Sequence, residues 1–276
     1  MSRTIEDNNK IDFKARMKPG CDTDREFDTT QLHYKNFQYQ PHKDYLGHVY
    51  RWGFASRFVK RGMRVLDVGC GQDLPFLRSL GGSSATTIPD LYVGVDLNKI
   101  KDVPNRKWAT VCDQFNFIEN YEDLELDYGQ FDVIVNFEVF EHIELQLSRG
   151  LLKGMRELLA PGGKLIFSTP VYCESFKMAR NHINELRKDE VEAELHHAGF
   201  KIVKQFGTFG NVNDFKKVAS KEMLEQYNAC REFYGDDIMG SMISPLFPEA
   251  SRNITHVCMR DDEDVEECVL KPSVLA

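Results

Sequence analysis

The segment Met63–Gly71, MRVLDVGCG, decides the fold. Its first part is a short aliphatic run of the length of a buried strand, and it breaks into two glycines one residue apart. Gly69 and Gly71 let the chain turn sharply and approach a bound group, because glycine tolerates positive φ. A helix is expected next over LPFLRSL, Leu74–Leu80. Outward from this unit the alternation repeats. YVGVDL (Tyr92–Leu97) reads as a second strand, WATVCD (Trp108–Asp113) as a third, FDVIVNF (Phe131–Phe137) as a fourth and KLIFST (Lys164–Thr169) as a fifth. The helix LSRGLLKGMRELLA (Leu147–Ala160) precedes the fifth strand, with Pro161-Gly162-Gly163 as its stop signal. DEVEAELHHAGF is a helix ending at Gly199, KIVKQF (Lys201–Phe206) a sixth strand and NITHVCM (Asn253–Met259) the last. Strands alternating with helices predict an α/β fold, a parallel sheet covered on both faces.

Other segments fall around this core, residues 61–206. Residues 1–30 are polar and without sustained periodicity, which predicts an arm that orders only on a partner. Residues 31–60 are dense in aromatics, and YLGHVYRWGFASRFV has helical spacing: a helix packed on the sheet that can also serve as a lid. Residues 207–252 are too long for a hairpin loop and carry their own helical stretch, SKEMLEQYNACREFY, so they read as an insertion. The last strand, 253–260, completes a single domain over 31–260, and 261–276 form an acidic tail.

With 276 residues and 42% hydrophobic content the chain can bury a sizeable core. Its 28% charged residues and mean hydropathy of −0.43 fit a soluble protein. No apolar run approaches the ~20 residues that span a bilayer, and MSRTIEDNNK lacks the apolar centre of a secretory signal. The seven cysteines are scattered without a CxxC pair, so reduced thiols and a cytoplasmic location are expected. The formal charge is −8, but six carboxylates sit together between Asp261 and Glu267, and without them it falls to −2. That balance disfavours a non-specific duplex binder and leaves an end-specific one open.

The fingerprint GxGxxG is not met, because Asp73 and Leu74 stand two and three places after Gly71. A carboxylate there would repel a pyrophosphate, so a ligand without phosphates is favoured. Asp96 ends the second strand, where an acid can accept hydrogen bonds from ribose hydroxyls. Asp113 ends the third and can meet an adenine amino group. With Asp67 they make three acids at successive strand ends.

In their order, VLDVGCG, YVGVDL, VCD, FDVIVNFEVFEH and LLAPGGKLIFSTP resemble the class I S-adenosylmethionine-dependent methyltransferases, over roughly residues 60–206 and the last strand. The resemblance implies a Rossmann-like, seven-stranded, mostly parallel sheet with helices on both faces. Its last strand would be antiparallel and inserted between the fifth and sixth. It also implies S-adenosylmethionine as cofactor, with Asp67, Gly69 and Gly71 at its methionine part, Asp96 at the ribose and Asp113 at the adenine. Asn136 and Phe137 would lie beside the sulfonium. The third glycine common in the first motif is replaced by Asp73.

FEVFEH, Phe137–His142, puts Glu138, Glu141 and His142 within five residues, and a helix starting there would carry all three on one face. ExxEH followed by STP resembles two subgroups, the ubiquinone-biosynthesis O-methyltransferases and the small-RNA 3′-terminal 2′-O-methyltransferases. That resemblance implies a divalent cation (Mg, Mn, Fe or Zn) on Glu138, Glu141, His142 and His182, the two histidines being the catalytic candidates. The residues alone leave other roles open. Glutamates suit a helix start, His142 can bond a neighbouring strand, and His182 can be a general base or an ordinary loop residue. His196 and His197 read as surface. The acceptor is expected to be a small-molecule hydroxyl, met by the aromatic segment and by Phe233, Tyr234 and MISPLFPEASRN of the insertion. A nucleotide or RNA end is the alternative, since aromatics also stack bases, and a non-catalytic cofactor-binding module is the third.

Overall fold

The computed structural model describes residues 3–17, 43–81, 88–174, 177–210 and 212–262. Its seven strands are β1 Arg64–Val68, β2 Leu91–Val95, β3 Ala109–Cys112, β4 Phe131–Phe137, β5 Leu159–Pro170, β6 Phe200–Gly210 and β7 Ser251–Arg260. They form one sheet in the order β3-β2-β1-β4-β5-β7-β6. β1 to β5 pair in parallel, and β7 runs antiparallel to both β5 and β6. The sheet order expected from the resemblance is therefore the one observed. Strand order reverses between β1 and β4, and in such sheets ligands bind beyond the carboxyl ends of the strands at that point.

The helices are α1 Ile5–Asn8, α2 Phe13–Arg16, α3 Lys43–Ser56, α4 Pro75–Ser79, α5 Phe117–Tyr128, α6 Leu145–Leu158, α7 Lys188–His197, α8 Val212–Val218 and α9 Lys221–Ile243. Side chains alternate across each strand, and this divides the interior into two layers. Leu66, Val68 and Ile134 pack with Tyr121, Leu151 and Met155 of α5 and α6. Val65, Val133 and Val135 pack with Ala55, Phe76 and Leu77 of α3 and α4. Fully burying one such side chain contributes about 1.5–3 kcal/mol.

Several local expectations are corrected. Residues 3–17 are not a loose arm. They form two short helices, one closed by a Thr4–Asp7 capping box and one by Asp12, and Ile11 and Phe13 pack on the core. The rest of the expected arm and residues 31–42 of the aromatic segment lie outside the described residues, as do 263–276 of the tail. LPFLRSL is helical only over Pro75–Ser79. Pro161-Gly162-Gly163 does not separate helix from strand: β5 begins directly after α6, and its pairing with β4 skips from Leu159 to Lys164, so these residues form an irregularity in β5. β6 runs on to Gly210 and β7 starts at Ser251, so the connection between them is 211–250. Close approach explains the extension, because a Cβ on Gly207 would stand 1.9 Å from Ser251 Oγ and 2.3 Å from Ser244 O. α5 had no counterpart in the sequence reading.

FEVFEH also departs from a single helical turn. β4 ends at Phe137, Glu138 takes a left-handed φ of 56°, and a 3-10 turn spans Phe140–His142 before α6 begins at Leu145. Glu138 therefore leaves the chain in a different direction from Glu141 and His142.

Candidate functional site

Gly69 N and Cys70 N donate to Val95 O at 2.9 and 3.1 Å, and Gly71 N donates to Asp96 Oδ2 at 2.9 Å. These bonds hook the turn after β1 onto the end of β2. The turn needs its glycines, since φ is 75° at Gly69 and 72° at Gly71. A Cβ on Gly69 would also lie 2.3 Å from Val139 Cγ2, so the turn is packed directly against the segment that follows β4.

Beside this turn lies a cavity of about 210 Å³ at the carboxyl ends of β1 and β2. Gly69, Gly71 and Asp96 line it, with apolar wall from Leu97, Ile118 and Val139. Asp73 and Asp96 are acidic, and among the described residues no Lys, Arg or His lines it. Apolar walls with carboxylates and no cation suit a phosphate-free, positively charged ligand and disfavour a pyrophosphate. Asp96 Oδ1 accepts from Asn98 N and Nδ2 at 2.8 and 3.0 Å, which fixes the carboxylate at the cavity edge.

The other cofactor candidates are placed outside that lining. Asp67, 2% exposed, accepts a 2.6 Å hydrogen bond from the Tyr92 hydroxyl. Burial pushes its carboxyl up to about 7, with Asp96 adding to the rise and Tyr92 opposing it. Asp113 accepts from Ile100 N at 3.0 Å, and the wall at the end of β3 is made instead by Phe115, Asn116 and Phe117. Asn136 is fully buried and donates from Nδ2 to Val68 O at 2.9 Å. Phe137 meets Phe76 edge-on at 5.8 Å. The sequence signal for the missed wall was QFNF, which follows the third strand in the position where ligand loops sit.

A second cluster joins the last two residues of ExxEH, Glu141 and His142, to the loop after β5. Glu141, His142 and His182 each bring one ligand atom within 4.8 Å of the others. The two imidazoles meet edge-on with centroids 4.8 Å apart. His142 Nδ1 lies 2.8 Å from Asn181 O and His182 Nδ1 lies 2.5 Å from Glu185 Oε1. These oxygens accept, so Nδ1 carries the proton in both rings and Nε2 is the electron-pair donor. Burial, with His182 beside it, pushes His142 down to about 4, so it is neutral at pH 7. Glu141 is 1% exposed, and burial followed by the charge of Glu138 raises its carboxyl well above the usual range. Its main-chain oxygen accepts from Ile183 N and Asn184 N at 2.9 and 3.0 Å, which ties the His182 loop to the turn carrying His142.

Glu138 lies outside this group of three, which corrects the four-residue set. It faces Arg51 of α3 at 2.9 Å and accepts from Ser168 Oγ at 2.9 Å and Asn253 Nδ2 at 2.5 Å. Burial alone would push its carboxyl up, but Arg51, His48 and these hydrogen bonds outweigh it and hold it below the usual range. Arg51 is itself buried, lies over the Phe137 ring at 5.1 Å and contacts His48. Burial and Arg51 together push His48 down to about 3. His196 and His197 are exposed, as expected. Val139 and Ile143, on either side of Glu141 and His142, line the strand-end cavity, so the cluster and the cavity share a wall.

A family model described as a methyltransferase domain matches residues 53–205, more than half of the chain. The chain belongs to this methyltransferase family. The methyltransferase is 33% identical over 165 residues to an arsenite methyltransferase of Aquipseudomonas alcaligenes, covering 55% of this chain and 44% of that protein. It is 29% identical over 136 residues to a tRNA U34 carboxymethyltransferase of Pseudomonas putida (44% and 37%). It is 33% identical over 124 residues to a ubiquinone biosynthesis O-methyltransferase of Nitrosococcus oceani (39% and 44%). The matches span less than half the length of these curated relatives. Among solved structures, an S-adenosylmethionine-dependent methyltransferase of Archaeoglobus fulgidus superposes with a TM-score of 0.52 at 17% identity, over 82% of this chain and 99% of that one, a likeness of fold. The chain thus carries a methyltransferase domain on the class I fold, and the acid-edged cavity suits a positively charged ligand. No helix among the described residues is long and apolar enough to cross a membrane.

Proposed function

We propose that this enzyme transfers the methyl group of S-adenosylmethionine to a hydroxyl of a small-molecule acceptor, at a site where Glu141, His142 and His182 hold a divalent cation. The observation that carries this reading is the convergence of one carboxyl and two imidazoles, each ring with its Nδ1 engaged by an oxygen. Metal-binding histidines characteristically donate the remote N–H to a carboxylate or carbonyl, which orients the ring and raises its basicity. Oxygen and nitrogen donors without a thiolate suit Mg²⁺, Mn²⁺, Fe²⁺ or Zn²⁺. The donor set also supplies a reason for a cation. A carboxyl buried as deeply as Glu141 is costly to ionise unless positive charge is close.

A cation bound there supplies a Lewis acid that lowers the pKa of an acceptor hydroxyl. The chain's residues do the rest. Asp96 takes the ribose hydroxyls, and the Gly69–Gly71 turn receives the methionine end with Asp67 behind it. Glu138, held by Arg51, shapes the floor beside Glu141. The insertion, 211–250, closes over the acceptor. Alignment of the oxygen with the methyl group is the main demand, because the sulfonium is already a good leaving group. The new O–CH₃ bond forms as S–CH₃ breaks, S-adenosylhomocysteine leaves, and the hydroxyl proton is released. The near-neutral core, at −2 without the six tail carboxylates, supports a small acceptor over a long polyanion.

The test pairs labelled methyl transfer into metabolite and RNA pools with Mn²⁺ titration of chelator-treated protein. Label is expected in the metabolite pool, lost on chelation and restored by add-back, with S-adenosylmethionine affinity retained. His182→Ala is expected to weaken Mn²⁺ binding and abolish transfer in the same way. Full transfer without metal, together with no Mn²⁺ binding, overturns the metal site. Label confined to RNA overturns the small acceptor.

A further inference from the structure

We infer that residues 3–17 are a clip that positions the His182 imidazole, acting through Arg16. His182 sits in a stretch, 177–187, without helix or strand, so no ladder of its own fixes it. Such loops are the easily displaced parts of a fold. Arg16 binds this stretch on both sides of the histidine. Its main-chain oxygen accepts from Met178 N at 3.1 Å, and its Nη1 donates to Glu185 O at 2.8 Å. The same guanidinium makes a two-pronged contact with Glu190 at the start of α7, at 2.7 and 2.8 Å, and stacks over the Tyr172 ring at 4.5 Å.

The residue tied by its main chain to Arg16 is the one whose side chain holds His182. Glu185 is 0% exposed, and its Oε1 takes both His182 Nδ1 and Ala179 N at 2.5 and 2.9 Å. Moving the Glu185 main chain therefore moves the acceptor that fixes the ring's tautomer and direction. Arg16 itself is only 8% exposed, and a planar fork reaching two oxygens of Glu190 and one carbonyl cannot be replaced by a single ammonium. The clip is seated independently of Arg16. Asn8 Nδ2 donates to Glu190 O and Glu194 Oε1, both at 2.9 Å, and Arg3 pairs with Glu190 at 2.9 Å. Arg16 is thus a positioning residue, well removed in sequence from the histidine it serves.

The inference rests on the reading of His182 as part of the acceptor site, and its test separates the two. Arg16→Ala and Arg16→Lys are compared with the wild-type chain in metal-free form by ¹⁵N spectroscopy of the His182 ring, with circular dichroism and S-adenosylmethionine titration as controls. The wild type is expected to show the Nδ1–H tautomer alone. Arg16→Ala is expected to show a mixture of tautomers with cofactor affinity unchanged, and Arg16→Lys an intermediate mixture. Mn²⁺ affinity should fall about tenfold in Arg16→Ala, the lower end of the range for outer-shell partners. If Arg16→Ala does not fold, Arg16→Lys decides alone. A wild-type tautomer pattern in a folded Arg16 variant overturns the inference. A shifted tautomer in a protein whose wild type binds no Mn²⁺ upholds the clip and overturns the metal site instead.

Discussion

Asp96→Ala is expected to weaken S-adenosylmethionine binding by about 1.5–3 kcal/mol, the scale of a hydrogen bond to a charged group, or about 10- to 150-fold in Kd. The structure apportions the loss. A carboxylate offers about four acceptor positions, and three protein donors use them: Gly71 N at 2.9 Å, Asn98 N at 2.8 Å and Asn98 Nδ2 at 3.0 Å. Capacity remains for a ribose hydroxyl, and Asp96 lines the cavity where that hydroxyl would sit. The Asn98 contacts are exposed and the Gly71 contact half-buried, so water can replace them in the variant at small cost. Most of the loss should therefore fall on the ligand and little on folding. Asp96→Asn keeps one acceptor oxygen and loses the charge, so it should fall between the two proteins. Calorimetric titration with S-adenosylmethionine measures the affinity, and thermal unfolding checks the fold. A folded Asp96→Ala protein binding within about twofold of the wild type would refute the ribose assignment and turn attention to Asn98 and Asn116.

Two further outcomes follow from the same geometry. Asp67 has its folded-state pKa raised from 3.8 to about 7 by burial. The folded protein therefore holds this proton more tightly than the unfolded chain, and the stability it contributes is full below about pH 4 and is lost as pH rises through about 7. Urea unfolding of Asp67→Asn against wild type should shift in the variant's favour by about 2–3 kcal/mol between pH 5 and 8; a difference that stays flat would contradict the buried acid. Gly210 and Ser251 are paired neighbours in the sheet, so residues 211–250 hang from the end of an antiparallel pair. Replacing them by Asn-Gly, a two-residue hairpin turn, should leave cofactor binding intact and abolish transfer. Retained turnover with the same acceptor would show that the insertion does not cover it.

The sheet was legible in the sequence because central parallel strands are aliphatic on both faces and end in turn residues, a local pattern. Strand order followed only from the resemblance, and the antiparallel seventh strand bears it out. What the chain did not show locally was what lies far apart in it. Asn8 and Arg16 look like solvated residues of a polar arm until Glu190 and Glu194, more than 170 positions away, close on them. α5 was missed although Phe117, Tyr121 and Leu124 recur at helical spacing, because the reading stopped at the acid ending the third strand. Gly69, Gly71 and Asp96 line the strand-end cavity and were legible as turn and strand end, since both are local patterns. Asp67 and Asp113 were chosen by the same rule, yet their carboxylates serve Tyr92 and Ile100.

The ExxEH spacing shows how a local pattern can leave open which residues face one another. Glu138 and Glu141 are three positions apart, which on a helix would stack them on one face. The left-handed φ at Glu138 breaks that periodicity before any helix starts. Glu138 then meets the buried guanidinium of Arg51, and Glu141 meets two imidazoles. Both carboxyls are largely removed from water, and burial penalises ionisation in each. Against the cost of burial, Arg51 at 2.9 Å from Glu138 holds that carboxyl below the usual range, while burial and the charge of Glu138 raise Glu141 well above it. Two acids of one motif thus move in opposite directions, one lowered by the arginine of α3 and the other raised by burial and by its neighbour's charge. Glu141 faces two nitrogen donors, and the divalent ion proposed for that group would place positive charge beside a deeply buried carboxyl.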